Sequence, residues 1–268
     1  MEYSSFIDRV ELQSAVNIFV GTDILEKQEI INKYGDISMW DVGNVEEMYN
    51  LFNGCTNFNS DLSKWNVSRV INMTAMFTNC QMFNSDLSKW NVENVQNMSG
   101  LFTCCTNFNS DISKWNVGNV QDMLSMFYGC KKFNSDLSNW NVGNVKYMTD
   151  MFTCCYNFKS DIGNWNVENV LDMSIMFSYC YKFNSDISNW NVGKVKGMFN
   201  MFLECPSFLN SINGLRWNKQ YWKIVQHFFK TRTIALYWLE QSAITSCGPG
   251  GDGRQRDLEA FKKDNLVN

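Results

Sequence analysis

The stretch from Asp111 to Ser135 reads D-I-S-K-W-N-V-G-N-V-Q-D-M-L-S-M-F-Y-G-C-K-K-F-N-S. Its frame recurs without insertion or deletion, since tryptophan returns every 25 residues at Trp40, Trp65, Trp90, Trp115, Trp140, Trp165 and Trp190. Aspartate keeps the same step at Asp36, Asp61, Asp86, Asp111, Asp136, Asp161 and Asp186, and so does a thiol at Cys55, Cys80, Cys105, Cys130, Cys155, Cys180 and Cys205. A strict period of this length predicts coils that stack and bury their apolar side chains against one another, with both ends of the stack in need of caps.

Within the unit, Ile112, Trp115 and Val117 follow the L-x-x-L-x-L spacing, which predicts a short strand with Lys114 and Asn116 pointing outward. Val120, Met123, Met126, Phe127 and Cys130 then follow at steps of three, three, one and three, the stripe of an amphipathic helix. Asn119, three residues before Asp122, stands where a helix N-cap would stand. The expected fold class is an α/β repeat solenoid, leucine-rich-repeat-like, with one short parallel strand and one short helix per 25-residue turn and helical caps at both ends.

The predicted divisions are a helical N-terminal cap over 1–34, a seven-repeat array over 35–209, a degenerate repeat with an aromatic cap over 210–245, and a flexible tail over 246–268. The first cap holds two helical patterns between Val10 and Tyr34, the second opening at Thr22 in the manner of a capping box and stopping at Gly35. At the far end Ile212, Leu215 and Trp217 imitate the repeat, and Tyr221 to Ser242 reads as an aromatic helical segment.

A formal net charge of -4 over 268 residues gives no broad basic field, which argues against nucleic acid as the main partner. No apolar run is long enough to span a membrane, and Met1 to Phe6 lacks the pattern of a secretion signal. The expected location is therefore the cytoplasm, or the virion for a virus-encoded chain. Seven of the ten cysteines share one repeat position beside apolar neighbours, which predicts a buried thiol stack. With His227 the single histidine and no C-x2-C pair, zinc is not expected, and no cofactor is.

The frame M-F-x-x-C-x-x-F-N-S-D-L-S-x-W-N-V-x-N-V-x-x-M, repeated in register, resembles the BspA-like leucine-rich repeats first grouped as mycoplasma-type surface lipoprotein repeats. The resemblance covers about residues 10–209. It implies a leucine-rich coil and, from the surface members of that family, adhesion. The family brings no catalytic residues, and this chain shows no lipoprotein signal.

Two outward columns remain as a candidate binding face: Met39, Lys64, Lys89, Lys114, Asn139, Asn164 and Asn189 before each tryptophan, and Asp41, Asn66, Asn91, Asn116, Asn141, Asn166 and Asn191 after it, with the residues from Lys64 to Asn166 as its centre. An amide column can also bond to itself along a stack. The first column changes from lysine to asparagine midway, and variation inside a constant frame is where a partner would be read. The aspartate column is expected to cap turns, with calcium as the alternative. The function expected is a noncatalytic protein-protein interaction or scaffold module; a structural component of a large DNA virus particle and an adhesin-like carbohydrate binder are the alternatives. Repeated Ser, Asp and Lys positions form no unique constellation for catalysis.

Overall fold

The computed structural model of the chain describes residues 3–211, all within the compact unit Met1–Gln220. The expected aromatic cap, the tail, His227 and the Ile212, Leu215 and Trp217 turn lie outside the described residues. Two helices, α1 (Arg9–Val20) and α2 (Ile24–Tyr34), lead through a 3₁₀ turn at Ile37–Met39 into seven stacked coils that begin at Asp36 and repeat every 25 residues.

The coils are not the α/β units that the pattern predicts. Among the described residues no strand forms, and the sole α-helix inside the coils is the four-residue α3 (Pro206–Leu209) in the seventh. The strand fails because the N–H groups it would offer to a neighbour are used locally. The Asp111 carboxylate takes the Ser113 N–H at 3.0 Å, and the Ile112 carbonyl takes the Trp115 N–H at 3.1 Å. One turn later Val120 N–H closes on the Val117 carbonyl at 3.0 Å.

The helix fails for a related reason. Ser125 and Gly129 have positive φ, as do their equivalents in the other six coils, which no right-handed helix accommodates. Between them the chain makes successive i→i−3 turns, from Met126 to Met123, Tyr128 to Ser125, Cys130 to Phe127 and Phe133 to Cys130. Each turn of the kind Ile112–Trp115, Val117–Val120 or Met123–Met126 buries its first and fourth residues, all nine-tenths or more out of solvent. The apolar step of three is thus the span of a β-turn, not the pitch of a helix.

A row of four backbone bonds of one direction joins each coil to the next, and a fifth runs the other way, as from Gln121 N–H to the Gln96 carbonyl at 2.8 Å. Met123, Ser125, Phe127 and Gly129 donate their N–H groups to the carbonyls of Tyr147, Thr149, Met151 and Thr153 at 2.8–3.0 Å. Only one isolated parallel bridge arises per pair of coils, such as Asp122 with Tyr147. Side chains add to these bonds. Trp115 Nε1–H donates to the Leu87 carbonyl of the preceding coil at 3.0 Å, and Asn119 Nδ2 donates to the Glu93 carbonyl at 2.7 Å. Asn119 therefore clamps coils together and caps no helix. Phenylalanine rings stack in step, as in Phe127 on Phe152 with centroids 5.6 Å apart.

The N-terminal cap matches its sequence pattern and explains itself chemically. In the first coil the carbonyls equivalent to those acceptors face away from the stack. Arg9 donates to the Tyr49 carbonyl at 3.0 Å and Gln13 to the Leu51 carbonyl at 3.1 Å, so α1 supplies the donors a preceding coil would have given. Phe6 N–H bonds the Asp41 carbonyl, and Phe6 and Phe19 lie against Trp40. Helix α2 starts one residue later than the sequence suggests: Asp23, not Thr22, caps it by accepting from Leu25 and Glu26. It ends at Gly35, whose φ of 81° suits glycine.

Because Trp115 fills the core and also bonds across coils, two substitutions separate its roles. Trp115→Ala should lower unfolding free energy by about 3–5 kcal/mol through its cavity. Trp115→Phe should cost roughly 1–2 kcal/mol from the lost indole bond and the smaller ring, and the exposed Lys114→Ala close to nothing. Urea titrations check this; equal losses for Trp115→Ala and Lys114→Ala would contradict the register.

Candidate interaction face

The two turns Ile112–Trp115 and Val117–Val120 form one long side of every coil, each introduced by a short polar side chain that takes the N–H two residues on. Asp61, Asp86, Asp111 and Asp136 accept from Ser63, Ser88, Ser113 and Ser138 at 2.9–3.0 Å. Asn66, Asn91, Asn116, Asn141 and Asn166 accept from residues 68, 93, 118, 143 and 168 at 3.1–3.2 Å. The asparagine column hence bonds within its own turns through Oδ1 rather than forming a continuous ladder along the stack. Its Nδ2 groups approach the preceding coil, where glycine makes room for one of them: a Cβ at Gly118 would sit 3.4 Å from Asn141 Nδ2.

All ten residues read as a face from the sequence, Lys64, Asn66, Lys89, Asn91, Lys114, Asn116, Asn139, Asn141, Asn164 and Asn166, are exposed. They flank the buried tryptophans on the side built by these turns. The face is partly basic in its first half and amide-lined in its second.

The aspartate column caps turns, as the sequence predicts. Hydrogen bonds from Ser63, Ser88 and Ser138, backbone first and hydroxyl second, hold the Asp61, Asp86 and Asp136 carboxyls below the usual range. The Ser113 hydroxyl and then its N–H do so for Asp111. Asp150 runs the other way, its burial pushing its carboxyl up. Among the described residues no three His, Cys, Asp or Glu side chains are placed to hold a metal ion.

The thiol column lies inside the stack. Cys80, Cys105, Cys130, Cys155 and Cys180 each donate to a carbonyl of the preceding coil, as Cys130 does to Phe102 at 3.0 Å. Burial pushes Cys80 up to about 12 and Cys105, Cys130, Cys155 and Cys180 well above the ordinary thiol value, so they serve as neutral donors rather than nucleophiles or metal ligands.

Sequence reasoning missed a second cluster, Lys131, Lys132, Lys159 and Lys182 with Tyr156 and Tyr181, at the corner where the coil turns toward this face. Each stands at a position occupied by neutral residues in the first three coils. Comparing the columns residue by residue would have found it.

With the coils in place, the family model described as "Mycoplasma protein of unknown function, DUF285" matches residues 22–140 and again 124–236. The chain belongs to this mycoplasma repeat family. The two overlapping matches together span the seven coils, whereas the leucine-rich coil implied by the BspA-like resemblance is not what the turns build. No curated protein and no solved structure matches the chain. Among the described residues no helix is long and apolar enough to cross a membrane.

Two measurements test the chemistry of the columns. A carboxyl whose value is lowered by folding stabilises the fold fully above its ordinary value, about 3.9 for aspartate, and that contribution drains away as pH falls through the folded value. Melting temperature should therefore hold from pH 7 to about pH 5 and drop below about pH 4, and more gently in Asp86→Asn/Asp111→Asn/Asp136→Asn; an identical acid limb in this variant would show that these caps do not set it. Iodoacetamide at pH 8 should leave Cys105, Cys130, Cys155 and Cys180 unmodified in the native protein and alkylate them in urea, read by mass spectrometry; rapid native alkylation would refute the buried stack.

Proposed function

We propose that this repeat protein is a noncatalytic interaction or scaffold module that holds a protein partner on its turn-built face. One observation carries this reading. The side chains that point inward hardly vary from coil to coil, whereas the exposed column before each tryptophan changes from Lys64, Lys89 and Lys114 to Asn139, Asn164 and Asn189. Packing fixes the first set and has no hold on the second, so the second is free to be shaped by contact with another molecule. A long row of evenly spaced side chains suits an extended surface rather than a small substrate. The repeated aspartates and thiols are occupied in holding turns and coils, which leaves the outward columns as the groups available to a partner.

The test is cross-linking mass spectrometry on the protein in its native cells or particles, followed by charge reversal. The expected result is a reproducible set of links from Lys64, Lys89 and Lys114 to one protein, lost in Lys64→Glu/Lys89→Glu/Lys114→Glu while the circular dichroism spectrum and melting temperature stay unchanged. Links confined to the chain itself, or a partner retained by the folded triple variant, would overturn the reading.

A further inference from the structure

The stack carries a second surface that departs from the repeat, where the fourth to sixth coils turn toward the face. In the first three coils the corresponding positions hold Thr56, Gln81 and Thr106, then Asn57, Met82 and Asn107, then Asn59, Asn84 and Asn109. The next coils replace them in a block with Lys131 and Lys132, Tyr156 and Lys159, and Tyr181 and Lys182. The change is not needed for stacking; in one rung it removes a stacking bond. Asn84, Asn109, Asn134 and Lys159 donate their N–H groups to the side-chain oxygen of the asparagine one coil earlier at 2.7–2.8 Å. Lys159 has no such oxygen to pass on, so the row of side-chain acceptors is interrupted at that coil.

The geometry draws these side chains together. Tyr156 and Tyr181 lie with ring centroids 5.0 Å apart, and Lys131 Nζ stands 5.7 Å from the Tyr156 ring. Lys182 Nζ donates to Asn157 Oδ1 at 2.6 Å. Lys159 and Lys182 together line a shallow recess of about 540 Å³ that continues past Gly163 to Asn164 and Asn189 of the outer column. All four lysines are exposed, and among the described residues none of them forms an ion pair. The two acids that line the recess are held by their own turns: Asp161 Oδ1 takes the Gly163 N–H and the Ser185 hydroxyl, and Asp186 Oδ1 takes the Ser188 N–H.

We infer that this corner docks an acidic, extended segment of a protein partner, its carboxylates meeting Lys131, Lys132, Lys159 and Lys182 and its apolar atoms lying on the two tyrosine rings. Ammonium groups that form no ion pair, beside one half-buried and one exposed tyrosine ring, favour anions attached to a chain that also offers hydrophobic contact. A nucleic acid fits less well, because Asp136, Asp161 and Asp186 interrupt the lysines once per coil and a phosphate backbone cannot skip charges, whereas a peptide can space its acids. This inference extends the interaction reading to a separate surface and does not depend on the lysine column before the tryptophans.

Fluorescence anisotropy on the full chain tests it with three labelled probes: a twelve-residue glutamate-tyrosine peptide, its glutamine-tyrosine counterpart, and a single-stranded oligothymidylate. The glutamate peptide should bind at low salt, weaken at least tenfold between 50 and about 300 mM salt as exposed charge pairs are screened, and bind at least tenfold more weakly to Lys131→Glu/Lys132→Glu/Lys159→Glu/Lys182→Glu. Lys64→Glu/Lys89→Glu/Lys114→Glu should bind it as the parent does, so failure of the first face and failure of this corner are told apart. Tyr156→Ala/Tyr181→Ala, checked for an unchanged melting temperature, should weaken it several-fold with the salt dependence retained. Absence of binding to the glutamate peptide, equal binding of the glutamine peptide, equal loss in both lysine variants, or tighter binding of the oligothymidylate would each overturn the proposal.

Discussion

The whole stack depends on how each coil disposes of the carbonyl at the first position of its first turn. The Leu87 carbonyl takes the Trp90 N–H within its own coil at 3.1 Å and the Trp115 indole N–H of the next at 3.0 Å. Both bonds are buried, so neither competes with water, and a carbonyl with two lone pairs is fully used. The turn thereby fixes the direction of the acceptor, and the acceptor fixes where the following tryptophan sits. With that ring placed, Phe102 tilts against Trp115 at 6.2 Å and the phenylalanine columns fall into step. Repetition of this one bond converts a local turn into long-range order.

The period, the buried columns, the turn-capping aspartates, the thiol stack and the N-terminal cap were legible in the sequence because each is dictated by polarity at a fixed position. The secondary structure was not. Val120, Met123, Met126 and Cys130 satisfy a helical stripe and a succession of four-residue turns equally well, since both return to one side after three residues. The discriminating signal lay in the column Asn50, Ala75, Gly100, Ser125, Asp150, Ile175 and Asn200, where all seven residues have positive φ. Alanine and isoleucine there hide what glycine and asparagine hint at. Asn119 misled in a similar way, because the same short amide that caps a helix can reach a neighbouring coil's carbonyl.

The exposure of the two columns was legible. Lys64, Lys89 and Lys114 are exposed where alternation around Trp65, Trp90 and Trp115 puts them. The basic corner escaped notice because its residues change in a block over only three coils, and reading along the chain separates what the stack brings together. Across the seven coils the unvarying positions speak for packing, and the exposed, changing ones are those that packing leaves open.

At every junction four backbone bonds run from donors in one coil to acceptors in the next and one, of the kind Gln121 to Gln96, runs back, so the stack has a direction, as a filament with unlike ends has. Every junction offers the same row of N–H groups to the same row of carbonyls. A unit of 25 residues spliced in at such a junction meets complementary groups on both sides, and a unit removed leaves them matched. The number of coils is therefore a quantity that duplication or loss can change without redesigning the interior. The ends are not interchangeable: Arg9 and Gln13 answer carbonyls, and no copy of them could close an end that presents N–H groups.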